Sequence, residues 1–193
     1  MRHAPGVRRF VLILAAATTM AVTSLEPVGA TVVERGHYAD TFAFSYDDCG
    51  PSVDVEGEFS GVFRIRQGKN QNETAFFLMD NFSYQEVHTN VDTGEWFLVR
   101  GDGVFNETKA TRIEGNIFEF VSVEAGQPFV VEDSDGNVII RDRGAIRRRI
   151  LFDTEGDDVP GGIDIEFLSA EVHGPHPGFF TDFCDIVNDL IGP

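Results

Sequence analysis

Residues 53–65 have the sequence VDVEGEFSGVFRI, in which apolar residues alternate with charged or small ones. A period of two places successive side chains on opposite faces of a β-strand, so this stretch predicts a strand with one face against a core. Gly57 and Gly61 interrupt the apolar series, where a glycine indicates a bulge or a tight bend.

The same alternation continues along the chain and predicts seven further strands, at residues 42–46, 76–84, 96–105, 113–123, 129–132, 138–152 and 163–167. Turns are predicted near Lys109-Ala110 and at residues 133–137, DSDGN. Eight antiparallel strands joined by short turns favour an all-β meander. Closure into a small barrel would remove both sheet edges, and a two-sheet sandwich is the alternative. A short C-terminal helix is expected, with Thr181 as its cap.

Residues 1–30 are typical of a secretory leader. Arg2, Arg8 and Arg9 precede an apolar run at 10–25, and residues 28–30, VGA, offer small side chains for cleavage. The alternative is a retained membrane anchor. We expect bacterial export, an extracellular location, no membrane span after processing, and a single β domain at 31–193.

The charge of the chain limits its partners. Its formal net charge is −17, and removal of three arginines and one glutamate with the leader leaves 12 basic and 31 acidic residues, or −19. A polyanionic nucleic acid or an anionic membrane surface would be repelled. Neutral or cationic partners are expected, although acidic surfaces also serve solubility alone, and a monomer is predicted.

Cys49 and Cys184 are the two cysteines of the chain. In an oxidising compartment such a pair favours a disulfide over two free thiols. If the meander alternates strictly up and down, the tail must double back along a flank or cap an opening for the two to meet.

Charged residues in phase with apolar strand residues are the candidate ligand-binding groups, because an unpaired buried charge is costly. Five residues meet this criterion: Asp80, Glu86, His88, Glu119 and Arg148. One hypothesis is that Arg148 pairs with Glu119 or Asp80 inside the barrel and presents a polar anchor to a small ligand. A bulge at Gly115 or Gly144 would reverse the phase and return these groups to solvent. Arg147 and Arg149 point away from Arg148 and are expected to pair with surface carboxylates.

No metal or cofactor is predicted. The hairpin at 133–137 resembles the opening of an EF-hand calcium loop, but its twelfth position is Gly144, where a bidentate glutamate is needed. The acidic loop at 153–158 could hold calcium loosely, and solvation is the simpler interpretation. His173 and His176 supply too few converging ligands for zinc.

Residues 174–184, GPHPGFFTDFC, together with 133–143, resemble a group of exported actinobacterial proteins with no assigned chemistry. This resemblance implies a secreted bacterial source and no particular activity. In architecture alone, the meander is similar to lipocalin and allene oxide cyclase barrels.

Three functions are compatible with these patterns. The first is a secreted small-barrel protein that binds a small hydrophobic molecule. The second is an extracellular structural or interaction protein without a ligand pocket. The third and least favoured is an enzyme that uses interior Glu119 or Glu86 as an acid or base. The space left by Phe59, Phe63, Phe82 and Phe105 would distinguish the first from the second.

Overall fold

The computed structural model describes residues 31–69, 72–156 and 158–192, so the expected leader lies outside the described residues. The described chain forms eight strands and two short helices: β1 (Val32–Tyr46), β2 (Val53–Gln67), β3 (Phe76–Asn90), β4 (Trp96–Glu114), β5 (Ile117–Glu132), β6 (Val138–Arg141), β7 (Gly144–Asp153), β8 (Ile163–His173), α1 (Pro177–Phe180) and α2 (Phe183–Ile191). All strand pairs are antiparallel. The all-β meander and its C-terminal helix are therefore confirmed.

The sheet is open. Its strands pair in the order β1-β2-β3-β4-β5-β7-β8, and β6 also pairs with β5. β6 pairs with the C-terminal end of β5, and β7 pairs with its N-terminal part. The two strands therefore lie one after the other along the same side of β5, and the eight strands occupy seven places in the order of the sheet. The seventh strand of an antiparallel meander runs in the same direction as the first, so β8 cannot complete an antiparallel ladder with β1. In the described residues these strands form two free edges, so the closed barrel is not supported, whereas a sandwich remains compatible.

The break between β6 and β7 has a local cause. The amide of Asp142 still donates to Phe129 O of β5, at 2.8 Å, but the next amide, of Arg143, donates to Pro175 O at 2.7 Å. Gly144 follows with a φ of 117°, a conformation that favours glycine. The loop after β8 thus draws the chain away from β5 and divides the predicted strand at 138–152.

One end of the sheet is covered by α2, and we call the sheet surface that packs against this helix the inner face. The buried cluster there consists of Val53, Val55, Phe97, Val99, Val131, Ile186, Val187 and Ile191. Asp182, one residue after the expected Thr181, caps α2, because its Oδ1 accepts from the Cys184 amide at 2.9 Å.

The tail doubles back as the sequence required. Cys49, in the loop after β1, forms a disulfide with Cys184 of α2, and their Cα atoms are 4.8 Å apart. Asn90 holds the other end of the helix, since its Nδ2 donates to Ile191 O at 2.7 Å. These two contacts and the apolar cluster fix α2 on the inner face.

A second buried cluster lies at the other end of the sheet. Phe118 and Phe120, at the start of β5, pack with Ala75 and Ala110. The Asn72 side chain donates to Ala110 O at 3.1 Å, which ties the loop before β3 to this cluster. The middle of the inner face therefore lies between two apolar ends.

Gly57 and Gly61 are not bulges, contrary to the sequence-based expectation, because the ladders of β2 with β1 and β3 continue through both without a shift. Instead, each glycine makes room for an aromatic ring of β1. A Cβ at Gly61 would lie 2.3 Å from Tyr38 Oη, and one at Gly57 would lie 2.4 Å from Phe42 Cζ. The Tyr38 and Phe42 rings therefore occupy the space above these two glycines on the inner face.

Candidate functional site

Three of the five candidate charged residues lie on β3. Asp80, Glu86 and His88 are on the inner face, as their shared parity predicted, since Asp80 is opposite Phe63 and His88 is opposite Val55 in the ladder with β2. β3 pairs with β2 without a register shift, so the phase read from the sequence is kept along its whole length.

Glu119 does not lie on the inner face, so this part of the prediction is wrong. The register between β4 and β5 shifts between Arg100 and Asp102, whose partners are Val130 and Gln127, so the parity of the inner-face residues of β5 changes there. Phe118 and Phe120 point inward and Glu119 points outward. There it forms two hydrogen bonds of 2.9 Å with Arg149, which lower the pKa of the Glu119 carboxyl.

Arg148 lies on the inner face of β7, but neither predicted partner pairs with it. Its guanidinium donates to Glu124 of β5, a residue that sequence reasoning missed. The Arg148 and Glu124 side chains are 18% and 12% exposed, so this ion pair is largely shielded from water. The inward phase of Glu124 was detectable in the sequence, since it shares parity with Phe118 and Phe120. On the opposite face Arg147 lies 4.0 Å from a carboxylate of β8, as expected for a surface pair.

Asp80 has one satisfied and one unsatisfied oxygen. Tyr38 Oη donates to Asp80 Oδ2 at 2.7 Å, across the gap that Gly61 leaves. Asp80 Oδ1 is buried and has no hydrogen-bond partner among the described residues. Burial raises the pKa of Asp80, and the bond from Tyr38 opposes that rise. Burial, together with this bond, also raises the pKa of Tyr38.

Glu107 of β4 is a second carboxylate that the sequence did not reveal, because a turn was expected close to it. β3 and β4 separate beyond Met79, and Glu107 Oε2 fills the gap by accepting the Leu78 amide at 2.6 Å. Burial, with a smaller contribution from Asp164 of β8, raises the pKa of Glu107 to about 7. The bond from Leu78 limits this rise.

The carboxylates of Asp80 and Glu124 lie at the same level of the sheet, on the two sides of β4. Asp80 is opposite Phe105 on β4, and Phe105 is opposite Glu124 on β5. Two strand spacings separate Asp80 from Glu124, which is about 10 Å. A small molecule could therefore lie on the Phe105 ring between two carboxylates.

Four aromatic rings surround this position and cover the inner face only in part. Each of them is half-buried: Phe59, Phe63, Phe82 and Phe105. Phe59 and Phe82 contact other rings of this face, and the Tyr38 and Phe59 centroids are 5.8 Å apart. We call the rings of this part of the inner face the aromatic layer. The layer presents ring surface to solvent between the two buried clusters.

His88 and Glu86 belong to a separate group beneath α2. The His88 ring stacks on Phe97, with centroids 4.8 Å apart, and meets Phe183 of α2 edge-on at 5.5 Å. Its Nδ1 is 3.2 Å from Tyr46 Oη and its Nε2 is 3.2 Å from Glu86 Oε2. His88 is 2% exposed, so this chain of contacts holds the helix against the sheet and is closed to a ligand.

Two open depressions occur in the described surface, and neither contains the candidate anchors. The larger, of about 430 Å³, is lined by residues 39–41, 58–60 and 83–85. The smaller, of about 250 Å³, is lined by Asp54, Glu56, Val87 and Thr89. Neither depression is lined by Asp80, Phe105, Glu124 or Arg148.

The hairpin at 133–137 is closed by its own side chains. Asp133 Oδ1 accepts the amides of Asp135 and Asn137, and its Oδ2 accepts from Asn137 Nδ2 at 2.9 Å. The hydrogen bond from the Asn137 side chain is the largest cause of the lowered pKa of Asp133. Within the described ranges, no group of three His, Cys, Asp or Glu side chains is arranged to hold a metal ion.

No protein-family model, curated protein or solved structure matches the chain. The resemblance to exported actinobacterial proteins therefore stays a prediction. In the part of the chain that the structure describes, no helix has the length and apolar character needed to cross a membrane. The fold and the site together define the class of protein: an open antiparallel sheet with an aromatic inner face and a helix that covers one end of that face.

Proposed function

We propose that the inner face binds a small amphipathic molecule, with the aromatic layer as its platform. The observation that carries this proposal is Asp80 Oδ1, which is buried and unpartnered beside half-buried rings. A buried acceptor without a donor costs about 1–3 kcal/mol. A ligand that donates a hydrogen bond here would remove this cost.

The ring layer supplies the apolar contact. Phe82 and Tyr84 stack with centroids 6.5 Å apart, and the Tyr84 hydroxyl is held by Pro128 O at 2.9 Å. Rings held in this way lose little conformational entropy when a ligand binds. Their exposed faces suit a flat apolar group.

Export belongs to the same proposal. A disulfide that closes a loop of 135 residues persists in an oxidising compartment, which supports an extracellular protein. The expected leader at residues 1–30 would direct the chain there.

A pair of aromatic probes tests the proposal. Calorimetry at pH 7 with 2-naphthol, which donates a hydrogen bond, should give saturable binding. The methyl ether, 2-methoxynaphthalene, lacks the donor and should bind about fivefold more weakly, because it leaves Asp80 unsatisfied.

The matched variants are Phe105→Leu, which removes the ring between Asp80 and Glu124, and Val104→Ala, its neighbour on the opposite face. Phe105→Leu should weaken binding of 2-naphthol about fivefold, and Val104→Ala should leave it unchanged. Absence of saturable binding, or equal losses in both variants, would refute a site on the inner face.

A second candidate function is an extracellular interaction protein. Large apolar side chains are exposed on the edge strand β8, where Ile163 is 58% and Phe167 is 60% exposed, and Phe44 of the other edge is 49% exposed. Open edges can add a strand from another chain. Sedimentation velocity over a range of concentrations tests this role. Self-association that Phe167→Lys abolishes would favour it, and a monomer at all concentrations would exclude pairing between copies.

A further inference from the structure

The middle of the inner face carries an excess of carboxylates. Asp80 of β3, Glu107 of β4 and Glu124 of β5 lie there, together with the guanidinium of Arg148 on β7. The chain as a whole is also acidic, with a formal charge of −17. Both features favour a cation near this face.

Arg148 does not provide a counter-ion for an anionic ligand. Its guanidinium already donates to Glu124, and both side chains are largely shielded from water. A carboxylate ligand would have to displace Glu124 and leave that charge unpaired in a poorly solvated position, which is strongly unfavourable. The ion pair therefore selects against fatty acids and other apolar anions.

Unlike Arg148, Asp80 can form a new hydrogen bond with a ligand. Tyr38 supplies a donor to one carboxylate oxygen, and the other has no partner among the described residues. A ligand ammonium would satisfy that oxygen with a charge-assisted hydrogen bond. Its positive charge would also be attracted by nearby ring faces.

We infer that the inner face selects aromatic or otherwise apolar ammonium compounds, whose charged group binds at Asp80 while the apolar group lies on Phe105. This inference rests on the proposed function and deepens it by naming the ligand class. It also reverses the sequence-based expectation that Arg148 anchors the ligand, since Arg148 with Glu124 instead forms the neutral wall of the site.

Three probes of similar shape and different charge provide the test. Calorimetry at pH 8 compares 1-naphthylmethylammonium, 1-naphthylmethanol and 1-naphthoate. The cation should bind about tenfold more tightly than the alcohol, and the anion should bind most weakly.

Asp80→Asn should reduce the advantage of the cation over the alcohol to about threefold or less while the alcohol still binds, since a neutral amide keeps an acceptor but loses the charge. Asp102→Asn is the matched control, because it removes the same charge from the exposed outer face of β4 and should preserve selectivity. This control separates a local contact from the attraction of the whole acidic chain.

The outcomes distinguish an error in the proposed ligand class from an error in the proposed binding function. If all three probes bind with equal affinity, the ligand class is wrong and the binding face stands. If Asp80→Asn and Asp102→Asn reduce selectivity equally, Asp80 is not the anchor. If no probe binds saturably, the proposed function itself fails.

Discussion

Glu107→Gln should stabilise the protein at alkaline pH and have little effect in acid. The substitution keeps the size of the side chain and an oxygen that accepts the Leu78 amide, but it cannot ionise. Its effect on stability therefore isolates the cost of a charge in the gap between β3 and β4.

The expected magnitude follows from the pKa of Glu107. The fold raises this pKa from the ordinary 4.5 to about 7, so it favours the protonated acid. The corresponding stability is fully present below about pH 4.5, is lost as the pH rises to about 7, and does not return above it. At about 1.4 kcal/mol for each pH unit, the cost of ionisation is about 3 kcal/mol, an upper bound because the side chain keeps some exposed surface.

Urea denaturation of the wild type and Glu107→Gln at pH 4.5, 6 and 8 measures this difference. The variant should equal the wild type within about 1 kcal/mol at pH 4.5 and exceed it by up to about 3 kcal/mol at pH 8. Glu114→Gln, at the exposed end of the same strand, is the control and should follow the wild type. A constant difference between Glu107→Gln and the wild type across this range would refute the assignment of Glu107 as a buried acid.

Substitutions at three places test the fold around the site, each by denaturation at pH 7. Gly61→Ala should cost about 1–3 kcal/mol, because its Cβ would lie 2.3 Å from a tyrosine hydroxyl of β1. Arg148→Met should cost up to about 3 kcal/mol because it leaves Glu124 unpaired, and the double variant with Glu124→Leu should recover most of the loss. Replacement of Cys49 and Cys184 by alanine should cost about 5 kcal/mol in the chain-entropy model, given the 135-residue separation.

Controls exist on the same strands. Ser60→Ala, next to Gly61 on the outer face, should change stability by less than about 0.5 kcal/mol. Arg149→Met removes an exposed ion pair next to Arg148 and should destabilise the protein much less than Arg148→Met. If either control is as destabilising as its partner, the distinction between the two faces of the sheet is wrong.

The strands and the phase of β3 were predictable because an uninterrupted antiparallel ladder preserves a period of two. Asp80, Glu86 and His88 were placed correctly for this reason. The phase of Glu119 was not, because apolar residues occur at both parities in this part of β5: Ile117 and Val121 share the parity of Glu119, and Phe118 and Phe120 have the other. The phenylalanines are the buried set, so Glu124, which shares their parity, lies on the inner face.

The open sheet was not predictable from local patterns. The break after β6 depends on the bond between Arg143 and Pro175, which are far apart in sequence. Similarly, Gly61 has the local signature of a bulge, but its ladder is unbroken and the Tyr38 ring of the neighbouring strand occupies the space that a side chain would need. Both features depend on contacts between segments that are distant in the chain. The local pattern of residues in one sequence does not predict such contacts.

The most direct measurement is an amide chemical-shift titration of the ¹⁵N-labelled protein with 1-naphthylmethylammonium. Saturable shifts should be confined to inner-face positions around Asp80, Phe105 and Glu124, with outer-face Asp102 and the edge strand β8 unaffected. Shifts concentrated on β8 or spread over the acidic surface, or a response that never saturates, would contradict ligand binding on the inner face.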